Sequence, residues 1–216
     1  MARVLYAHPF SSYCWKVLIA LYESDLAFDY RSVEDPAASA ELAAHWPLKK
    51  FPLLVDDGAA VIESSIIIEH LDTTLPPEAR MIPADPAAAL KVRWLDRFFD
   101  NYIMTPMNKI VADSIRAEPD RDTFGVADAR RQLDAAYAWL DGNIGDDWAA
   151  GDRFTLADCA AAPALFYADW AHPIGGLARV GAYRGRLLAR ASVARAVDEA
   201  RPYRGYFPLG RRIGID

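Results

Sequence analysis

The chain has 216 residues, of which 53% are hydrophobic and 25% charged, with a formal net charge of −6. That length and apolar content suit one large or two small packed domains. The negative balance argues against a nucleic-acid surface or a polybasic membrane anchor. No run approaches the roughly eighteen apolar residues of a spanning helix, and the opening MARVLYAHPF lacks a signal-peptide layout. Two distant cysteines, Cys14 and Cys159, and four scattered histidines outline neither a disulfide framework nor a metal site. The expectation is a cytoplasmic protein with no nucleic-acid, membrane or metal partner.

Arg3 to Ala7 is a short β-branched and aromatic run stopped by His8-Pro9, and it predicts a strand. Ser11 or Ser12 then caps a helix from Tyr13 to Glu23, with Ser12 the expected cap and Val17, Ala20, Leu21 and Ser24 along one face. Leu26 to Val33 alternates as a second strand. Strand-helix-strand implies parallel pairing through a right-handed crossover. An alanine-rich helix near Ala37 to Ala44 follows. Phe51 to Val55 and Ala59 to Ile62 flank Asp56-Asp57-Gly58, a hairpin signal, and Glu63-Ser64-Ser65 opens a helix through Leu71. The order βαβ-α-ββα predicts a thioredoxin-like domain over residues 1–77.

Pro76, Pro77, Pro83 and Pro86 interrupt any helix, so residues 78–85 read as an interdomain linker. Residues 86–216 are helical in pattern throughout. A long helix runs from Ala87 to about Ala117, bent where Pro106 deletes a backbone donor, and a second ends near Gly142. Thr155 and Asp158 are spaced as a capping box, with Phe154 and Cys159 as its hydrophobic staple. Further helices cover Ala160 to Ala168 and about Arg184 to Ala200. The whole is an α+β two-domain protein whose second domain is an all-α helical bundle.

Ser11-Ser12-Tyr13-Cys14 has the frame of a Cys-x-x-Cys redox motif in which the first, attacking position is a serine. Ser11-Ser12 with Trp15-Lys16-Val17, then Phe51-Pro52, Glu63-Ser64 and the Gly151 to Asp158 segment, in that order, resemble the cytosolic glutathione transferases over essentially the whole chain. The string S-S-x-x-W-K-V is most similar to the zeta class, which includes maleylacetoacetate and maleylpyruvate isomerases. Tyr13 stands where that class has a cysteine, so isomerisation is not the main expectation.

The resemblance implies a glutathione site. Pro52 matches the family's cis-proline, whose geometry lets the Phe51 backbone pair with the cysteinyl unit of glutathione as a strand would. Glu63 would meet the γ-glutamyl ammonium, and Ser64, at a helix N-terminus, its carboxylate. Lys50, with His45 as a second choice, would meet the glycyl carboxylate, and Ser12 belongs to the same binding set. Ser11 falls on the catalytic serine, its hydroxyl donating to the glutathione sulfur. Lowering a thiol pKa by two units takes about 3 kcal/mol, within reach of a charge-assisted hydrogen bond plus a helix terminus. Cys14 and Tyr6 are expected to be packing residues.

The acceptor site is expected between the domains, near Tyr102, Met104, Met107 and Asn108, with Tyr206 and Phe207 as cover. The activity implied is conjugation of glutathione, as co-substrate and without a metal, to a small hydrophobic electrophile, in a homodimer. Asp100 is expected to be a solvated carboxylate rather than a contact to a neighbour's glutathione. One alternative is glutathione-dependent cis-trans isomerisation of a maleylpyruvate-like or maleylacetoacetate-like diacid, for which Lys16, Lys109 and Arg116 are the placeable cations. Others are a non-catalytic binding protein of the same fold and thiol-disulfide exchange through Cys14.

Overall fold

The computed structural model describes residues 3–210. Its first part is a four-stranded sheet in the order β2-β1-β3-β4, built from β1 (Arg3–Ala7), β2 (Asp29–Ser32), β3 (Leu53–Asp56) and β4 (Ala59–Ile62). β1 and β2 are parallel with Val4 opposite Asp29, while β3 runs antiparallel to both β1 and β4. The mixed sheet follows from chain logic, since the β1–β2 crossover needs a helix whereas the Asp57-Gly58 turn joins β3 and β4 directly. Gly58, at φ +85°, and Asp57, at φ +47°, supply the left-handed turn.

Helices α1 (Ser12–Glu23), α2 (Pro36–His45) and α3 (Ser64–Asp72) accompany the sheet. β2 is shorter than the alternation of 26–33 suggests. Leu26 and Phe28 leave the ladder and pack against the main core instead.

The remainder is helical: α4 (Pro86–Phe98), α5 (Thr105–Ser114), α6 (Thr123–Asn143), α7 (Leu156–Ala171), α8 (Ala178–Ala189) and α9 (Ala191–Ala200). The bend expected at Pro106 takes the form of a π-helical stretch, Phe99–Met104, between α4 and α5. Pro106 lacks an N–H and crowds the carbonyl four residues back. The wider turn absorbs this, with the Thr105 N–H bonded to the Asp100 carbonyl. The expected single helix near Arg184 to Ala200 is two, because Arg190 is extended (φ −76°, ψ 133°) between α8 and α9.

α7 begins at the expected capping box and, as Leu156–Ala171, is longer at both ends than the helix expected over Ala160 to Ala168. Asp158, fully buried, accepts from Thr155 N (2.9 Å), Thr155 Oγ1 (3.0 Å), Ala149 N (2.8 Å) and the Tyr183 hydroxyl (2.6 Å). It ties the loop before α7 to α8 as well as starting the helix. Every residue of α7 is buried, so this helix is the axis of the core. Trp15 of α1, with no exposed surface, packs its ring 4.9 Å from Phe166 and 5.2 Å from Tyr167. One continuous core therefore joins sheet-side and helical elements. Among the described residues no helix is long and apolar enough to cross a membrane.

Candidate functional site

The β1–α1 loop comes to the surface between the sheet and the helical part, where its backbone is pinned from three sides. Ser11 N donates to the His8 carbonyl (3.0 Å), Phe10 N to His8 Nδ1 (3.0 Å) and Trp15 Nε1 to the Pro9 carbonyl (2.6 Å). Ser11, not Ser12, is the N-cap of α1: its Oγ accepts from Cys14 N at 3.4 Å, and Ser12 is the first helical residue. The difference lies in one residue's backbone, since Ser11 is extended and Ser12 already helical. A hydroxyl that accepts through a lone pair retains its proton to donate elsewhere.

Cys14 faces inward with no exposed surface, and its sulfur accepts a weak bond from His8 N at 3.5 Å. Burial pushes its thiol up to about 12, against the smaller opposing effects of Ser11 and the His8 backbone. Such a thiol is neither a nucleophile nor an accessible redox group at neutral pH. Tyr6 is likewise a packing residue, buried with its hydroxyl bonded to Glu41 at 2.9 Å.

A groove of about 370 Å³ brings Lys50, Phe51, Pro52, Glu63 and Ser64 together with Tyr13, Trp46 and Ile62. The Phe51–Pro52 bond is cis. Glu63 has φ +72°, in the left-handed region that a non-glycine residue seldom adopts, and its side chain makes no capping bond to α3. Among the described residues its carboxylate has no hydrogen-bond or ion-pair partner, and it stands beside Ser64, the first residue of that helix. His45 does not line the groove and instead lies with its ring 6.1 Å from that of Tyr6, while the next residue, Trp46, is part of the lining.

The opposite wall is Arg97, Asp100 and Asn101, which the sequence reading did not assign to it. Asp100 is not a solvated carboxylate. It is 6% exposed, 2.7 Å from Lys16 Nζ and 2.8 Å from Arg97. Lys16, 1% exposed, also pairs with Asp96 at 2.7 Å and donates to Ser65 Oγ at 3.0 Å. Two cations thus balance two carboxylates beneath the groove. Burial raises the Asp100 carboxyl above its ordinary value, although Lys16 and Arg97 oppose it. The only signal of this wall in the sequence was the i, i+3, i+4 spacing of three polar residues on one helix.

A second cavity, also about 370 Å³, adjoins the groove and is lined by Ser11, Ser12 and Tyr13 from the loop, with Phe10, Met107, Asn108 and Val111 on its sides. Tyr206, Phe207 and Pro208 cover it, and Tyr167 of α7 completes it, its hydroxyl bonded to the Phe10 carbonyl at 3.0 Å. Met107, Asn108, Tyr206 and Phe207 therefore share one cavity with the β1–α1 loop. Met104 is buried and Tyr102 faces outward at 58% exposure, so neither lines the cavity. Ser11 and Ser12 border this cavity rather than the groove, so the anticipated binding set is divided between two adjoining spaces. Lys16, Lys109 and Arg116 do not reach it, and each pairs with an aspartate: Lys16 with Asp96 and Asp100, Lys109 with Asp122, Arg116 with Asp113.

A larger hollow of about 700 Å³ lies on the far side of the loop, between the end of α1 and α9. Among the described residues its one cation, Arg195, is held by Glu199 at 2.9 Å, and Glu199 also accepts from the Tyr22 hydroxyl at 2.5 Å. Size alone does not make it the reactive site, because those charged groups close on each other.

Residues 5–79 match the model of the glutathione S-transferase N-terminal domain and residues 123–207 that of the glutathione S-transferase C-terminal domain. A glutathione S-transferase of Methylobacterium radiotolerans, solved in complex with glutathione sulfonate, is 31% identical with a TM-score of 0.79, over 91% of this chain and 95% of that one. The chain belongs to the glutathione S-transferase family.

This transferase-family chain is also similar to a glutathione S-transferase of Methylobacillus flagellatus with glutathione bound: 26% identity, TM-score 0.78, over 90% of this chain and 98% of that one. A probable maleylacetoacetate isomerase of Caenorhabditis elegans is 29% identical over 172 residues, 77% of this chain and 78% of that protein. Both the sheet-side elements and the helical part contribute to each space: Arg97, Asp100 and Asn101 wall the groove, and the β1–α1 loop borders the second cavity.

Proposed function

We propose that the protein is a glutathione transferase that joins the thiolate of glutathione to a small hydrophobic electrophile. Glutathione lies along the groove, with the Phe51 backbone against its cysteinyl unit, Glu63 and Ser64 against its γ-glutamyl end, and Lys50 at its glycyl end. The sulfur comes to the helix terminus capped by Ser11, whose hydroxyl proton stabilises the thiolate. The electrophile occupies the neighbouring cavity. The single observation carrying this reading is adjacency: the Ser11 hydroxyl, at the N-terminus of α1, opens on an apolar cavity directly beside the groove formed by Pro52, Glu63 and Ser64.

The relatives with glutathione or its sulfonate bound support the choice of thiol. The test is to titrate glutathione into the wild-type protein and Ser11→Ala, recording thiolate absorbance in the ultraviolet against pH. Binding with a lowered thiol pKa in the wild type, and binding without the shift in the variant, is the expected result. Absence of binding by the wild type would overturn it.

A second reading, glutathione-dependent isomerisation of a diacid, is favoured by the Caenorhabditis elegans relative. Such a substrate needs cationic partners for its carboxylates, and among the described residues the acceptor cavity has no lysine, arginine or histidine in its lining. Conjugation is therefore preferred. We also propose a cytoplasmic homodimer as the working form and clearance of reactive electrophiles as its role. Exposed Leu90 and Trp94 on α4, four residues apart, and Tyr102 on the π-helical stretch that follows, support an interface on this face.

A further inference from the structure

The hollow of about 700 Å³ behind the β1–α1 loop shares no lining residue with the groove or the second cavity. Four rings border it: Tyr22 at the end of α1, Phe28 and Tyr30 around the start of β2, and Tyr203 after α9. Among the described residues only Tyr22 and Phe28 of the four pair with each other, their centroids 6.2 Å apart. Tyr30 is 37% exposed, a large ring that its own strand leaves uncovered. A space of this size, walled by rings from three parts of the chain, has the dimensions of a small-molecule site. Pro9 and Tyr203 in its wall precede Ser11 and Tyr206 by two and three residues. The hollow therefore lies behind both the loop and the cover of the second cavity.

The charges of the wall decide what it can hold. Arg195 is used twice, its guanidinium 3.8 Å above the Tyr22 ring and 2.9 Å from Glu199. Glu199 also accepts from the Tyr22 hydroxyl, so these three groups close one side of the hollow on themselves. Asp25 is different. It is exposed in the turn after α1, at φ +48°, and among the described residues its carboxylate has no hydrogen-bond or ion-pair partner. With Arg195 and Glu199 balanced, the wall carries one uncompensated negative charge. Burial raises the Tyr22 and Tyr30 phenols above their ordinary value, so both stay neutral and offer ring faces rather than charge. Such faces attract cations, and Arg195 over Tyr22 is that interaction made within the chain. An organic anion would have to draw Arg195 from Glu199 and would meet Asp25. An organic cation meets attraction from both the rings and the carboxylate.

We propose that this hollow is a second binding site, separate from the reactive one, for a flat aromatic organic cation. Its ring system lies against Phe28, Tyr30 and Tyr203, and its positive charge stands beside Asp25. The apolar body gains by leaving water for these rings and for Leu26 and Pro202. The charge keeps its solvation on the side of the exposed Asp25, so it is paired without being buried. The ligand is held and released unchanged, with no bond made or broken. The site does not depend on the transferase reading, because no group assigned to glutathione or to the electrophile takes part in it.

The test titrates berberine, a flat quaternary cation whose fluorescence rises in an apolar site, into the full-length protein. Saturable binding of one dye per chain is expected for the wild type. Asp25→Asn keeps the shape of the left-handed turn and should weaken binding roughly two- to five-fold. Tyr30→Leu keeps apolar bulk but removes the ring face, and should weaken it by a similar factor, roughly two- to five-fold. The double variant should lose roughly ten-fold. Both positions are exposed, and a thermal unfolding midpoint equal to that of the wild type shows that the loss is one of binding. Asn108→Arg, which puts a cation at the second cavity, should bind the dye as the wild type does. The anionic dye 8-anilinonaphthalene-1-sulfonate, at equal concentration, should leave berberine in place. Failure of the wild type to bind berberine would overturn the proposal, as would equal affinity in the wild type and the double variant. Binding lost in Asn108→Arg would place the dye in the second cavity, and displacement by the sulfonate would show a site that does not select cations. Either result also overturns it.

Discussion

The Lys16 ammonium lies 2.7 Å from the Asp100 carboxylate, both almost wholly buried, and the pair links α1 to the π-helical stretch of the helical half. Asp96 and Arg97 complete the set under one wall of the groove. Removing one member of a buried pair strands the other's charge, which costs about 3–5 kcal/mol. Lys16→Met is expected to lose stability on that scale, Arg97 offsetting a part, as read by the urea midpoint at constant slope. The pH dependence has a definite sign. Asp100 has a raised folded pKa, so the folded state binds its proton more readily than the unfolded chain. Stability from this group is present below its unfolded pKa and is lost as pH rises through the folded one. The deficit of Lys16→Met should therefore narrow as pH falls toward the ordinary carboxylate range.

Ser11→Ala removes two things that separate measurements distinguish. Loss of the N-cap bond to Cys14 should cost about 1 kcal/mol of stability, seen in thermal unfolding. Loss of the donor to sulfur should raise the pKa of bound glutathione by about two units and lower kcat/KM near neutral pH up to about a hundred-fold. A stability change with no effect on the thiol would leave Ser11 a cap alone.

Cys14 should be silent in the native protein. Its buried thiol, held up to about 12, predicts no iodoacetamide adduct and no mixed disulfide with oxidised glutathione by intact mass, until denaturant exposes it. An adduct formed under native conditions would revive redox chemistry at this loop.

Glu63→Gln keeps the shape of the α3 terminus and deletes the charge proposed to meet the glutathione ammonium. Affinity for glutathione, by calorimetry, should fall by roughly ten- to a hundred-fold, in line with about 1.5–3 kcal/mol for a charged hydrogen bond. Turnover at saturating glutathione should change much less. An unchanged affinity would remove Glu63 from the binding set.

Leu90→Glu tests the dimer. Leu90 is 69% exposed, so the fold should tolerate the charge, while an interface on α4 should not. The expected outcome is a dimer for the wild type and a monomer for the variant by sedimentation. Equal sedimentation of the two would place any interface elsewhere.

Local chemistry determined much of the molecule from sequence alone. β-branched runs and turn residues set the four strands and their βαβ-α-ββα order. Thr155 and Asp158 marked the start of α7, and Phe51-Pro52 and Glu63-Ser64 marked one wall of the groove. Each of these depends on residues within a few positions of one another. What only the tertiary structure decided involves the rotation of one element against another. A one-residue difference in where α1 begins made Ser11 the cap. The extra width of the π-helical stretch changes the phase of the helix that carries Asp100 and Asn101 to the groove and Met107 to the cavity, while Tyr102 faces outward. Hydrophobic patterning reports only that a residue such as Tyr167 or Lys16 is near a core, not what it meets there. Partners 84 residues apart, like Lys16 and Asp100, are brought together by packing that no local period encodes. For the same reason, the place of Tyr13 between two cavities became visible only once both walls were assembled.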